Sequence, residues 1–246
     1  AAVADGDAMV SVWRYYGLEP DDRQADVIQQ RVGDALCPTW RIEDALLEDI
    51  SCMTLELGAS FAASRYREGG LEALDDVILR PPRSTEQMLH PDRYLAQDEP
   101  VALTPLEPEL GRNWVLTETE TLGEAMMGTV LLEWSNGELG RDAAVDWGGD
   151  LLQAWEGPEG SRVMVWQTSW DDAQAAGRVY ADLRGVLPAP FMSASVRDTT
   201  APDDLPRGRW WLSSRGAVFL HRRMNRVWIV WGDDPDAVEF VGSYIP

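Results

Sequence analysis

Residues 227–231, with the sequence Val-Trp-Ile-Val-Trp, give the strongest indication of the fold. Every side chain in this run is β-branched or aromatic, which favours a β-strand. Successive side chains of a strand point to opposite faces of its sheet, so a strand that is apolar at every position has both faces buried. We therefore predict that residues 227–231 form a central strand of a sheet.

Other segments in the C-terminal half also have the composition of strands. They are residues 151–155, 162–170, 209–213 and 217–222. Arg-Gly at 215–216 and Met-Asn at 224–225 lie where tight turns are needed, so the last three strands should form a meander. Helices are expected to begin at Asp171 and after residues 233–235. The pattern predicts a five-stranded antiparallel sheet with helices packed on one of its faces.

The N-terminal half has the periodicity of helices. Apolar residues recur at three- and four-residue spacing within 20–37, and again within 42–61. Gly69 and Gly70 should interrupt the second of these helices, and a short helix should follow to about Leu79.

Segment 81–113 is rich in proline and acidic residues, and we predict it to be extended with short turns. Residues 84–87 and 121–124 each have the spacing of a capping box, which marks the start of a helix. Taken together, these patterns predict an α+β protein. Its mainly helical part, with the connecting segment, should occupy residues 1–120, and its α+β part, with the five-stranded antiparallel sheet, residues 121–246. We expect the two parts to pack together as one continuous globular unit.

The charge of the protein is strongly acidic, with 42 Asp and Glu residues, 21 basic residues and a formal net charge of −21. All the basic residues are arginines. Proteins bind nucleic acids and anionic lipids by neutralising phosphates with Lys and Arg, so this composition predicts no nucleic-acid partner. No stretch approaches the ~18 consecutive apolar residues that a membrane span requires, and we predict no span.

Residues that could carry catalysis are few. Cys37 and Cys52 are the only cysteines, and a bridge between them is left open, because a helix would hold them apart unless it breaks near Ser51. The two histidines, His90 and His221, are far apart in sequence, and the chain lacks the H-E-x-x-H motif that places two zinc ligands on one helix face. We expect His90 to pack in a turn and His221 to face solvent or a carboxylate.

The twelve tryptophans are a second unusual feature of the composition. Most of them lie in strand patterns or beside glycine, which favours roles in the core. Exposed rows of aromatic side chains can also bind sugars by stacking, so a carbohydrate-binding module that uses exposed Trp is an alternative function.

Several short motifs occur in a recognisable order. They are residues 5–8, 68–71, 80–95, 122–124, 143–150 and 166–173. The most specific are Pro-Pro-Arg-Ser-Thr-Glu-Gln-Met-Leu-His-Pro at 81–91 and Trp-Gly-Gly-Asp at 147–150. In this order the motifs resemble a bacterial family of predicted exported, zincin-like proteins related to the gluzincin metallopeptidases. The likeness covers roughly residues 5–183.

The resemblance implies a zinc site that this sequence does not complete. In the family, an H-E-x-x-H helix lies upstream of a segment whose glutamate resembles a third zinc ligand, and the corresponding residue here is Asp5. Aspartate is one methylene shorter, and the helix is missing from this chain. We therefore predict no metal site and no cofactor, with zinc bound only if a missing segment supplies the helix.

The motifs that remain imply either scaffold roles or the lining of an old substrate cleft. The candidate binding residues are Asp5, Glu86, His90, Glu124, Trp147 and Asp150. We expect a non-catalytic, extracytoplasmic protein, periplasmic or secreted, that acts by binding or assembly. Its partner would be another protein or its own missing N-terminal segment. The alternative is a fragment of a zinc metallopeptidase whose H-E-x-x-H helix lies outside this chain.

Overall fold

The structure is a computed structural model, and it describes residues 2–15, 17–18, 45–135, 137–139, 141–187 and 197–246. The chain divides into two compact units, Ala1–Glu99 and Pro100–Pro246. The described residues contain seven α-helices and one seven-stranded antiparallel sheet, so the predicted α+β class is confirmed. Within these ranges no helix combines the length and the apolar character needed to cross a membrane.

The first unit is helical in its described part. Its helices are α1 (Ala2–Tyr15), α2 (Ala45–Leu79), α3 (Thr85–Leu89) and α4 (Pro91–Ala96). α1 packs against α2 through an apolar cluster that includes Trp13, Ala59 and Leu74. The two helices approach closely at Gly6, because a Cβ on this residue would lie 2.1 Å from the carbonyl oxygen of Gly58.

α2 is interrupted where the sequence predicts. Gly69 and Gly70 have non-helical backbone angles, and Gly70 has a φ of 65°, in the left-handed region that favours glycine. The chain continues as a helix after this break, which confirms the prediction. The helix predicted over 20–37 lies outside the described residues, and Cys37 lies there with it.

Segment 81–113 is less extended than predicted, because its first part forms α3 and α4. Ser84 caps α3 as the capping-box spacing predicts, since its hydroxyl accepts a hydrogen bond from the backbone N–H of Gln87 at 3.2 Å. Pro91 occupies the first turn of α4, where the N–H that it lacks has no partner within the helix. Residues 98–111 have no regular secondary structure.

The second unit is built on the sheet. Its strands are β1 (Val115–Glu120), β2 (Trp147–Glu156), β3 (Arg162–Trp170), β4 (Arg197–Thr199), β5 (Gly208–Ser213), β6 (Gly216–Arg223) and β7 (Arg226–Gly232). They lie in the order β1-β2-β3-β7-β6-β5-β4, and each neighbouring pair is antiparallel. β7 lies in the middle of the sheet, between β3 and β6, which confirms the central position predicted for residues 227–231.

The prediction of five strands is wrong, because the sheet has a further strand at each edge. β1 has the sequence Val-Leu-Thr-Glu-Thr-Glu with every residue exposed, and β4 has only 3 residues. Neither strand has the apolar alternation that marks a half-buried strand. β1 thus belongs to the sheet, although it falls within residues 1–120, the part that the sequence predicts to be mainly helical.

Helices cover both faces of the sheet and not the single face predicted. α5 (Gly123–Trp134) and α6 (Ala173–Val186) pack on one face, in a cluster that contains Ile229. α7 (Pro235–Ser243) packs on the other face, in a cluster that contains Trp228. The reason lies in β7, whose alternate apolar side chains enter the two clusters and need cover on both sides.

An irregular segment completes the cover of the α7 face. Residues 101–114 cross this face, and the side chains of two buried glutamines hold them there by hydrogen bonds to the backbone. The Gln153 side chain accepts a hydrogen bond from the backbone N–H of Leu106 at 2.8 Å and donates one to the Leu106 carbonyl at 3.0 Å. Gln167 donates to the Thr104 carbonyl at 3.1 Å. The two amides therefore satisfy backbone groups that no helix or strand would satisfy.

Candidate functional site

Three of the candidate binding residues come together at the start of α5. Asp150 lies on β2, and its carboxylate accepts hydrogen bonds from the backbone N–H groups of Leu122 at 3.0 Å and Gly123 at 2.9 Å. Glu124 follows in the first turn of α5, and Trp147 begins the strand that carries Asp150. All three side chains are buried, with exposed fractions of 3% for Asp150, 3% for Glu124 and 0% for Trp147.

Asp150 performs the capping that the sequence assigns to Thr121. The Thr121 hydroxyl donates instead to the backbone carbonyl of Asp150 at 3.2 Å, and the N-cap residue of α5 is Leu122. The capping-box prediction at 121–124 is therefore wrong, although the predicted helix is present. A carboxylate from β2 satisfies the first N–H groups of this helix, and a negative charge is favourable at that end.

The Asp150 carboxylate has a third donor, the indole N–H of Trp166, at 2.7 Å. Burial raises the pKa of Asp150, while the hydrogen bonds from Trp166, Gly123 and Leu122 oppose the rise. The carboxyl group is thus fixed in one orientation within the core, and it joins α5 to β2 and β3. A lining role for this cluster in a binding cleft stays a prediction.

Asp5, Glu86 and His90 belong to the first unit. Asp5 lies within α1. Glu86 is 2% exposed, and its carboxylate forms a salt bridge of 2.6 Å with the guanidinium of Arg93. His90 is half-buried between α3 and α4, and its backbone N–H donates to the Glu86 carbonyl at 2.8 Å. His90 therefore lies in a turn, as predicted.

The zinc site implied by the sequence resemblance does not fit the part of the chain that the structure describes. Within that part, no three His, Cys, Asp or Glu side chains are grouped so that they could hold a metal ion.

His221 is buried, so the predicted exposure to solvent or a carboxylate is wrong. Its side chain on β6 is 6% exposed, and its ring stacks on Phe219 and lies 5.4 Å from the Trp228 ring. Its Nδ1–H donates to the Arg207 carbonyl at 2.7 Å. Burial lowers the pKa of His221; the bond to Arg207 opposes this change, and the charge of Arg223 adds to it.

The edge strand β1 is the most open element of the sheet. Its apolar residues Val115 and Leu116 are 62% and 49% exposed. No described strand pairs with the edge of β1 that faces away from β2. A groove of about 440 Å³ lies beside the start of the strand, on the α7 face. Its walls include Glu109, Leu110, Arg112, Trp114, Leu116 and Trp155. We call β1 and this groove together the β1 surface.

The floor of the β1 surface is apolar. Trp114 packs over Gly157, where a Cβ would lie 2.6 Å from the indole ring. Leu116 and Trp155 are cross-strand partners in the β1–β2 pair, so their side chains share one face. The register shifts between Leu116 and Glu118, a bulge that bends the strand at this point. Apolar side chains thus lie directly beside unpaired strand backbone.

The charges around the β1 surface are mainly negative. Glu118 and Glu120 on β1 and Glu156 at the end of β2 are exposed. Glu109 and Arg112 in the groove carry opposite charges. The net negative potential favours cationic groups.

The β1 surface is not among the features that the sequence predicts. Residues 117–120 alternate Thr and Glu and have no apolar face, so their pattern does not predict a strand packed on a core. The available signal is the apolar group Trp114, Val115 and Leu116 directly before this charged alternation, since charged residues are typical of an exposed edge strand.

The tryptophans are mostly core residues, as predicted. Among the described ones, eight are buried and three, Trp114, Trp134 and Trp231, are half-buried. The carbohydrate-binding alternative needs a row of solvent-facing rings, and the described tryptophans do not provide one.

Fold and surface together define an acidic α+β protein whose antiparallel sheet has an open edge. A family model described as a domain of unknown function, DUF8575, matches residues 113–242. Because the match covers more than half of the 246 residues, the chain belongs to the DUF8575 family. The match begins just before β1 and ends within α7, so it contains the whole sheet. No curated protein and no solved structure shows significant similarity to this chain.

Proposed function

We propose that the protein acts by binding another protein at the β1 surface, without catalysing a reaction. The observation that carries this proposal is β1 itself, whose residues are all exposed beside an apolar groove. An open strand edge presents backbone N–H and C=O groups that can pair with an extended segment of another chain.

The β1 surface supports an extended segment as the bound element. A segment added to β1 would form main-chain hydrogen bonds along the strand, and every second side chain would point toward the α7 face. Leu116, Trp155 and Trp114 offer apolar contacts for those side chains. Buried aromatic contacts of this kind carry a large share of binding energy at protein interfaces.

The charge supports a cationic segment. Glu118, Glu120 and Glu156 surround the strand, and the whole protein has a formal net charge of −21. Opposite charges raise the rate of association and disfavour anionic competitors. The proposed partner therefore presents an extended segment in which Lys or Arg residues alternate with apolar ones.

The proposals on ancestry and location rest on the sequence resemblance alone. By that resemblance the protein is a non-catalytic relative of exported zincin-like proteins and acts outside the cytoplasm. Sequencing of the complete gene tests this relationship. An upstream H-E-x-x-H helix, together with stoichiometric zinc and peptide hydrolysis, would support the metallopeptidase alternative and contradict a non-catalytic role.

Selection from a library of short random peptides tests binding at the β1 surface. We expect enriched peptides to be basic and to alternate apolar with charged residues. Leu116→Arg should weaken their binding by about tenfold, or ~1.4 kcal/mol, in fluorescence anisotropy. Val145→Arg is the matched control, because Val145 is 40% exposed and Leu116 is 49% exposed. The control should bind as the unmodified protein does.

A charge-reversal pair tests the cationic character of the segment. Glu118→Arg combined with Glu120→Arg should weaken binding of the selected peptides, and Glu133→Arg, at an exposed position on α5, should have little effect. The proposal fails if no peptide is enriched, or if the enriched peptides bind Leu116→Arg as tightly as the unmodified protein.

A further inference from the structure

A second pocket lies where β3 and β6 begin and β7 ends. Its volume is about 400 Å³, within the ~300–1,000 Å³ of typical ligand sites. The lining residues include Arg162, Met164, Arg215, Gly216, Trp231 and Gly232. Trp231 packs with the α5 and α6 cluster, so this pocket and the groove of the β1 surface lie on opposite faces of the sheet. We call it the two-arginine pocket.

The sheet fixes the spacing of the two arginines. Gly232 on β7 pairs with Val163 on β3 and with Ala217 on β6. Arg162 and Arg215 therefore lie on either side of it. Neighbouring strands are ~4.8 Å apart, so the backbone segments that carry the two arginines are on the order of 10 Å apart. Gly232 allows β3 to approach closely, because a Cβ on it would lie 2.5 Å from the Arg162 carbonyl oxygen.

Two guanidinium groups and one carboxylate line this pocket. Arg162 and Arg215 are exposed, and neither forms a salt bridge with a described residue, whereas other arginines such as Arg93 do. Asp233 also lines the pocket, and its carboxylate is held by the backbone N–H of Arg162 at 2.8 Å. Glu156 is the cross-strand partner of Arg162 but makes no salt bridge with it. The two guanidinium groups thus outnumber the single carboxylate of the lining.

Trp231 adds a flat apolar wall. It is half-buried, and its ring packs edge to face on Trp134 of α5, with centroids 6.5 Å apart and an interplanar angle of 81°. Met164 is its cross-strand partner on β3. An indole held in this way offers a surface on which a planar ring can stack.

We propose that the two-arginine pocket binds a small organic anion that carries a planar ring. Guanidinium groups bind carboxylate or phosphate oxygens through paired hydrogen bonds, and Arg162 and Arg215 supply them. The Trp231 indole contacts the ring of the ligand. This site goes beyond the proposed function at the β1 surface and does not depend on it.

NMR titration of the full ¹⁵N-labelled chain tests the pocket. The probes are indole-3-acetate, adenosine monophosphate and inorganic phosphate, and the signal followed is the indole N–H of Trp231, assigned with Trp231→Phe. Arg162→Gln and Arg215→Gln each remove one guanidinium from the pocket. Arg184→Gln is the matched control, because it removes the same charge from an exposed position on α6.

We expect at least one ring-bearing anion to bind saturably and to shift the Trp231 signal. Its affinity should fall by at least about tenfold in each pocket variant and remain unchanged in Arg184→Gln. Three results would overturn the proposal. They are the absence of saturable binding by both ring-bearing probes, equally tight binding of inorganic phosphate, and an equal loss of affinity in the control.

Discussion

The indole N–H of Trp166 donates a hydrogen bond of 2.7 Å to the buried carboxylate of Asp150, across the β2–β3 pair. The same carboxylate accepts the N–H groups of Leu122 and Gly123 that open α5. One side chain therefore connects two strands and a helix. Three donors converge on this one buried side chain, so the position of α5 depends strongly on Asp150.

Replacing this carboxylate tests its role. Asp150→Asn should lower the free energy of unfolding by about 1–3 kcal/mol. The Asn amide places its own N–H group where the carboxylate accepts a hydrogen bond, so a donor there loses its acceptor. Urea unfolding measures the loss. Asp142→Asn, at an exposed position, is the control and should stay within about 0.5 kcal/mol of the unmodified protein. Equal losses in the two variants would contradict the capping role.

The loss of unfolding free energy caused by Asp150→Asn should also depend on pH. Burial raises the pKa of Asp150 above 3.8 in the folded state, so the folded protein holds this proton more tightly than the unfolded chain. The resulting stabilisation is complete below pH 3.8 and is lost as the pH rises through the folded-state pKa. The difference in unfolding free energy between the unmodified protein and the variant should therefore shrink from acid toward neutral pH. A constant difference would argue against the raised pKa.

His221 should make the protein less stable in mild acid. Burial lowers the pKa of His221 below 6.5 in the folded state, so the unfolded chain takes up the proton first as the pH falls. Stability is complete above pH 6.5 and declines until the pH reaches the folded-state pKa. His221→Gln should flatten the dependence of the unfolding free energy on pH in this window. An unchanged slope would show that His221 does not titrate in this way.

Gly6 should be essential for the packing of α1 on α2. Gly6→Ala adds a Cβ 2.1 Å from the Gly58 carbonyl oxygen and 2.8 Å from the Cβ of Ala62. Overpacking of this kind costs about 1–3 kcal/mol, which exceeds the gain of up to about 1 kcal/mol in helix propensity. Amide hydrogen exchange at Val10, in the same helix, should become faster. Ser11→Ala, on the exposed side of α1, is the control, and equal protection in both variants would contradict the close contact.

Gln153 should hold the irregular segment on the α7 face. Gln153→Leu leaves the backbone N–H and carbonyl of Leu106 without their side-chain partners, at a cost of about 1–3 kcal/mol. The Leu106 amide should exchange faster with solvent. Gln174→Leu, at an exposed position on α6, makes the same chemical change without this loss. Unchanged protection of Leu106 would contradict the fastening role.

The sequence predicts the elements whose packing is local or strongly apolar. The run at 227–231 predicts the centre of the sheet, Ser84 predicts the start of α3, and Gly69 and Gly70 predict the break in α2. Each of these signals lies within a few residues of the structure that it produces.

The features that the sequence does not predict depend on contacts between distant positions. β1 is stabilised by pairing with β2 and not by its own polar residues, and α5 is capped by Asp150, 27 residues from Gly123. His221 is buried by rings from its own and a neighbouring strand, which no single strand pattern shows. The candidate residues Glu124, Trp147 and Asp150 are adjacent in the fold, but the sequence does not show that they are buried.

The hydrogen bonds that hold residues 101–114 on the sheet bear on where the unit that contains the sheet begins. The family match begins at residue 113, whereas Val101, Thr104 and Leu106 already bond to the sheet or to its glutamines. A fragment cut at the family boundary would expose part of the α7 face to water. It would also leave the side-chain amides of Gln153 and Gln167 without their backbone partners in an apolar environment. The compact unit that contains the sheet therefore begins upstream of the family match, at Pro100, and its first residues cover part of the α7 face.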